Sequence, residues 1–140
     1  MAQRKSQIQR LVELVALLRS PRGCPWDRVQ THRSLIPYLR EEAVEVEKAL
    51  RRGRWHEIED ELGDLLLQVL LHAEIAREHG HFDLQDVARS QALKLKRRHP
   101  HVFGDANFPT PDAVKRRWAE IKAHERGLRR ADVIARQKSR

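Results

Sequence analysis

An all-α fold is predicted for this 140-residue chain by three observations. Leu and Ala total 31 against 18 for Val, Ile and Thr, a composition that favours helices over strands. Gly and Pro together number only 12, below average usage, so few breaks interrupt regular structure. Apolar residues recur at spacings of three and four, and no stretch alternates with a period of two. The length suits one domain, read as residues 1–128, followed by a flexible basic tail over 129–140. No apolar run approaches the ~20 residues that span a bilayer. Cys24 is the only cysteine, which excludes an internal disulfide and a multi-thiolate metal site. The opening MAQRKSQIQR has no apolar stretch of the secretory kind, so a cytoplasmic protein is expected.

About five helices follow one another. Ile8, Leu11, Val12, Val15 and Leu18 mark the first, over roughly residues 4 to 19, closed by Ser20-Pro21. The next dozen or so residues, RGCPWDRVQTHRSL, carry Gly23, Pro25 and the capping types Asp27, Thr31 and Ser34, and read as an irregular loop long enough to be functional. Leu35, Leu39, Ala43, Val46 and Leu50 give a second helix that stops at Arg51-Arg52-Gly53, where basic residues and a Gly suit a C-terminus. After a short turn, Ile58, Leu62, Leu65, Leu66, Val69, Ala73 and Ala76 give a third helix running to Gly80. It is apolar nearly all round in LLLQVLL, as befits the centre of the fold or a subunit interface. A fourth starts from Asp83 as cap and ends before His99-Pro100. The fifth opens at Pro111-Asp112 and reaches about Gly127 with Val114, Trp118 and Ile121.

The net charge of +8 is unevenly spread. Residues 129–140 hold five Lys/Arg against Asp132 alone, whereas Glu41 to Asp64 holds nine carboxylates against four cations. A surface built only for phosphate backbones would avoid such an acidic stretch, so nucleic acid is not the expected partner.

The acid lies in EEAVE (Glu41, Glu42, Glu45) and ELGD (Glu61, Asp64). At 100° per residue, Glu42 and Glu45 sit roughly 70° and 130° to one side of their helix's apolar stripe, and Glu61 and Asp64 roughly 90° and 150° to the same side of theirs. Antiparallel packing across the short turn brings equal offsets onto one side. Both pairs are centred equally far from Gly53, roughly 14 Å from the apex at ~1.5 Å per residue. Four convergent carboxylates beside a core need positive charge, and all-oxygen ligation suits a hard cation, Mg²⁺ first and Mn²⁺ second. A different reading makes them exposed carboxylates paired with Lys48 and the Arg51-Arg52-Arg54 cluster. A ferritin-like di-iron site would need Glu-x-x-His on core helices, which ELGD does not supply. A divalent cation on an otherwise basic protein suits phosphate-rich substrates, with Lys94, Lys96, Arg97 and Arg98 and then Lys115, Arg116, Arg117 and Lys122 available for the remaining charge. No GxxxxGK[ST] or GxGxxG motif is present.

These residues resemble the MazG nucleoside triphosphate pyrophosphohydrolases of the all-α NTP pyrophosphatase superfamily. The resemblance runs through RGCPWDRVQTHRSL, YLREEAVEVEKAL, DELGDLLLQVLLHA, GHFDLQDVA, KLKRRHPHVFGD and RRWAEIK, about residues 10 to 125, with 15 residues (46 to 60) between EExxE and ExxD. It implies Mg²⁺-dependent hydrolysis of NTPs or dNTPs between the α- and β-phosphates, giving a nucleoside monophosphate and pyrophosphate in nucleotide-pool housecleaning. It also implies a helical homo-oligomer that is at least a dimer. The family's metal ligands fall on Glu42, Glu45, Glu61 and Asp64, while Glu41 matches a motif glutamate that would orient a water. Nucleotide and phosphate contacts fall on Lys94, Arg98, Trp118 and Lys122. Some relatives carry further lysines near the acidic motifs where this chain has Tyr38 and Glu57, and many carry two such domains where this chain has one.

Trp26 and His32, in the long loop, stand open between contacting a base and pinning the loop to the core. His99 and His101 are equally open between phosphate contact and capping, and Cys24, without a paired His-Asp pattern, is read as inert. The competing function from another class is a basic helical nucleic-acid-binding protein whose acidic hairpin only stabilises a dimer.

Overall fold

The computed structural model describes residues 3–138, with side chains described through residue 132. Among the described residues there are seven helices and no strand, so the all-α expectation holds. They are α1 (Gln7–Arg19), α2 (Pro25–Val29), α3 (Ile36–Arg52), α4 (Trp55–Glu78), α5 (Leu84–Arg98), α6 (Pro100–Phe103) and α7 (Pro111–Lys138). Five of them are the expected ones. The two extra, α2 and α6, are single short turns that each begin on a proline, whose fixed φ and missing N–H suit a first helical position. α7 does not stop near Gly127 but continues to Lys138, because one glycine inside a helix costs only about 1 kcal/mol and no proline follows it.

The fold divides into two compact units after Ala88, within α5. In the first, Ser6 opens α1 with a capping box: its Oγ accepts from the Gln9 N–H, and its own N–H donates to the Gln9 side chain. The core joins Val15 of α1, Leu35 at the start of α3, and Leu70, Leu71 and Ile75 of α4, with Leu84 packed against them. α3 and α4 form an antiparallel hairpin closed by Gly53 at φ 72°, a left-handed conformation in which glycine carries no Cβ penalty. Gly23 is required for another reason: a Cβ there would stand 2.2 Å from the carbonyl oxygens of Leu17 and Leu18.

One expectation needs correcting. The stripe Leu39-Ala43-Val46-Leu50 does not face α4 as a unit; Val46 and Ala49 are buried and Glu42 and Glu45 half-buried, whereas Leu39, Ala43 and Leu50 are exposed. α3 is thus rotated so that its acidic side leans into the hairpin, and an apolar face remains outside.

In the second unit, Glu125 of α7 is buried and receives Arg97 Nε at 2.6 Å and Arg98 Nη2 at 2.9 Å. These two guanidinium groups hold its carboxyl down to about 2. His99 meets Trp118 edge-on with ring centres 5.1 Å apart.

Candidate active site

Glu42 on α3 and Glu61 and Asp64 on α4 each place a carboxylate oxygen within 4.8 Å of the other two. The short Gly53 turn forces the helices side by side, and the three-residue spacing of Glu61 and Asp64 keeps both on the α3 side. Burial raises the pKa of Glu42, and the repulsion of Asp64, Glu41, Glu61 and Glu45 raises it further. Glu61 is raised likewise, first by burial and then by Asp64, Glu45 and Asp60, with Arg52 acting against the shift.

The cations that could neutralise this charge are occupied elsewhere. Lys48 pairs with Glu45 at 2.9 Å, Arg51 with Glu47 at 2.7 Å, and Arg54 and Arg52 with Glu57 at 2.9 and 3.6 Å. The Arg54 hydrogen bond is the main reason the Glu57 carboxyl is lowered. The reading in which surface cations pair the whole acidic stretch therefore describes Glu45, Glu47 and Glu57; among the described residues no ion pair reaches Glu42, Glu61 or Asp64. Glu45 is close enough to repel both Glu42 and Glu61, but its oxygen is turned to Lys48. Glu41 is exposed one residue away.

The other expected residues fall in two groups. In the first unit, Trp26 is 45% exposed and meets Tyr38 edge-on at 5.3 Å. His32 places Nδ1 2.7 Å from Nδ1 of His72 on α4, so one of its nitrogens is already engaged. In the second unit, Lys94 and Arg98 lie one turn apart on α5, with Arg98 tied to Glu125. Trp118 and Lys122 of α7 share an open cleft of about 720 Å³ with Lys115 and Arg126, and the Trp118 Nε1 is buried without an acceptor.

Sequence reasoning missed His72, to which it gave no role within DELGDLLLQVLLHA, and Arg19, which binds Glu78 and the carbonyls of Asp27 and Gln30. It also missed Gln68, although a single amide inside LLLQVLL was a visible signal.

Residues 30–103 match the family model described as MazG nucleotide pyrophosphohydrolase domain, a span that contains both acidic motifs. A Thermotoga maritima protein named nucleoside triphosphate pyrophosphohydrolase/pyrophosphatase MazG is 48% identical over 126 residues, 90% of this chain and 48% of that protein. The Escherichia coli K12 nucleoside triphosphate pyrophosphohydrolase is 44% identical over 122 residues, 86% of this chain and 46% of that protein. The chain thus spans about half the length of these curated relatives. Among solved structures, that of a mazG-related protein from Thermotoga maritima superposes with a TM-score of 0.65 at 30% identity, covering 82% of this chain and 98% of that one.

Proposed function

Because the chain belongs to the MazG nucleotide pyrophosphohydrolase family, we propose that it hydrolyses nucleoside triphosphates, ribo or deoxy, between the α- and β-phosphates, releasing a nucleoside monophosphate and pyrophosphate. The observation that carries this reading is the unneutralised charge at Glu42, Glu61 and Asp64. Three carboxylates pushed together, two of them partly desolvated, cost free energy that a bound cation repays. Their donors are all oxygen, which fits Mg²⁺, with Mn²⁺ as a substitute. When bound, Mg²⁺ supplies the positive charge that draws phosphoryl oxygens into the site and stabilises charge developing on them.

The chain's own residues do the rest. Glu42, Glu61 and Asp64 hold the ion. Glu45 joins them by leaving Lys48, a partly exposed pair whose rupture costs only ~0–1 kcal/mol. Glu41, next to the ligands and exposed, orients the attacking water. Lys94, Arg98 and Lys122 bind phosphate oxygens, with Arg98 shared with Glu125; Trp118, Trp26 and His32 contact the nucleoside. Residues 1–128 form the catalytic domain, and the basic stretch 129–140 is dispensable for it. The setting is cytoplasmic housecleaning of the nucleotide pool. A basic nucleic-acid-binding protein with a purely structural acidic hairpin would have those carboxylates paired. No membrane role is assigned, since no described helix is long and apolar enough to cross a bilayer.

The test is pyrophosphate release from mixed dNTPs and NTPs with Mg²⁺ and with EDTA. Release with the metal and none with the chelator is expected; no metal-dependent release from any nucleotide refutes the proposal.

The working unit is a homodimer. Leu39 and Leu50 on α3 and Leu62 and Val69 on α4 are 37%, 57%, 47% and 41% exposed, an apolar area on the hairpin that monomers rarely leave uncovered. Sedimentation at micromolar concentration is expected to give a dimer; a monomer contradicts it.

A further inference from the structure

Two buried polar atoms on the hairpin's central helix have no hydrogen-bond partner. Gln68 is 6% exposed, and no described donor reaches its Oε1; Nε2 of His72 is likewise buried and unpartnered. Both belong to α4, where Glu61, Asp64, Gln68 and His72 follow at intervals of three and four and so share one face. At ~1.5 Å per residue, Gln68 lies about 6 Å and His72 about 12 Å past Asp64 along the axis. Buried polar groups nearly always have partners, so two orphans one turn apart on the metal-binding face call for a ligand that supplies them.

The other nitrogen of His72 is already spent. The ring centres of His32 and His72 are 5.0 Å apart and their planes within 5°, yet the Nδ1 atoms approach to 2.7 Å. The nitrogens therefore lie between the centres, and the rings meet edge to edge in an N–H···N bond. One Nδ1 must carry the proton and the other the lone pair. Burial, and secondarily His32, lowers the His72 pKa, which keeps that ring neutral with a single hydrogen-bonding role left for Nε2.

The two ends of the hairpin differ in charge. Toward Gly53 lie the carboxylates Glu61 and Asp64 that would hold the cation; away from it, past Asp64, the polar residues on the same face are the uncharged Gln68 and His72. A nucleoside triphosphate has the matching polarity, a polyanionic tail joined to a neutral, hydrogen-bonding nucleoside. We infer that the substrate lies along the hairpin with its phosphates at the cation held by Glu42, Glu61 and Asp64 and its nucleoside toward Gln68 and His72. There a sugar hydroxyl donates to Gln68 Oε1, and His72 Nε2 bonds the polar edge of the base. This assignment rests on the pyrophosphohydrolase reading and adds the residues that read the nucleoside.

Its test compares kcat/KM of the full chain for ribo-, 2′-deoxy- and 2′,3′-dideoxynucleoside triphosphates of one base, then for a purine and a pyrimidine. Wild type is expected to prefer the sugar bearing the recognised hydroxyl by about tenfold, the worth of one hydrogen bond. Gln68→Leu levels that preference, and His72→Phe levels the preference between bases. Melting of the metal-free protein supplies a second readout: Gln68→Leu is expected to melt no lower than wild type, because an acceptor without a partner is being removed. Sugar preferences that survive Gln68→Leu, an absence of sugar preference in wild type, or a fall in melting temperature each overturn the assignment. If wild type cleaves no nucleotide, the parent reading falls and takes this one with it; if wild type is active and the ratios do not move, this one alone fails.

Discussion

Glu61→Gln is expected to lower metal-dependent pyrophosphate release on the order of 10²–10³-fold, the several kcal/mol that a correctly held metal ion supplies. The same variant should leave the metal-free protein at least as stable as wild type. Both effects follow from one cause. Burial and the neighbouring Asp64 and Glu45 raise the Glu61 pKa, so ionising it costs more in the folded chain than in the unfolded one. A carboxyl with a raised folded pKa destabilises the fold above that pKa, and the penalty disappears as pH falls below the ordinary glutamate value. The stability advantage of metal-free Glu61→Gln over wild type should therefore shrink as pH drops from neutral toward that range, whatever the lowered carboxyls Glu57, Glu78 and Glu125 do to both proteins alike. Thermal melts without metal from pH 7 to pH 4, beside initial rates at saturating Mg²⁺, check both halves. Loss of the fold in the variant would mean that the carboxylate is structural.

Arg19→Ala is expected to cost about 2 kcal/mol of stability, because it breaks a half-buried ion pair and leaves two backbone carbonyls without their donor. The Arg19 side chain is only 6% exposed and uses its whole fork: Nε and Nη2 reach both oxygens of Glu78 at 2.9 and 3.0 Å, and Nη1 reaches the carbonyls of Asp27 and Gln30 at 2.6 and 3.0 Å. It thereby fastens the end of α1 to the end of α4 and to the segment carrying Trp26. Glu78 is correspondingly lowered, first by the Arg19 hydrogen bond. Arg19→Lys keeps the charge but not the planar fork, so it should recover only part of the loss. Urea unfolding measures this; a change below about 1 kcal/mol, the worth of a surface pair, would show that the fork is not needed.

The parts of this protein that were legible in its sequence are those governed by a period. Equal angular offsets and equal distances from Gly53 predict that Glu42, Glu45, Glu61 and Asp64 converge; the structure brings Glu42, Glu61 and Asp64 together and turns Glu45 to Lys48. The same arithmetic took the apolar stripe of α3 to be the buried face. It could not see that Val46 and Ala49 would pack inward and leave Leu39 and Leu50 outside, because periodicity does not say which apolar face meets its own chain and which is left over. The continuation of α7 through Gly127 was hidden for a related reason, a weak breaker being read as a stop. Arg19 and His72 were invisible, since each acts on partners distant in sequence, Glu78 and His32. The family resemblance was legible because RRHPHVF, EExxE and ExxD occur together.

The claim that the acidic hairpin is a metal site is tested most directly by titrating the protein with Mn²⁺ and following the free ion by electron paramagnetic resonance. Wild type should take up Mn²⁺ with an affinity that falls as pH drops toward the carboxylate range. Glu61→Gln and Asp64→Asn should each lose most of that binding, while Arg19→Ala, below its melting temperature, should keep it. Equal uptake by wild type and both carboxylate variants would contradict the assignment.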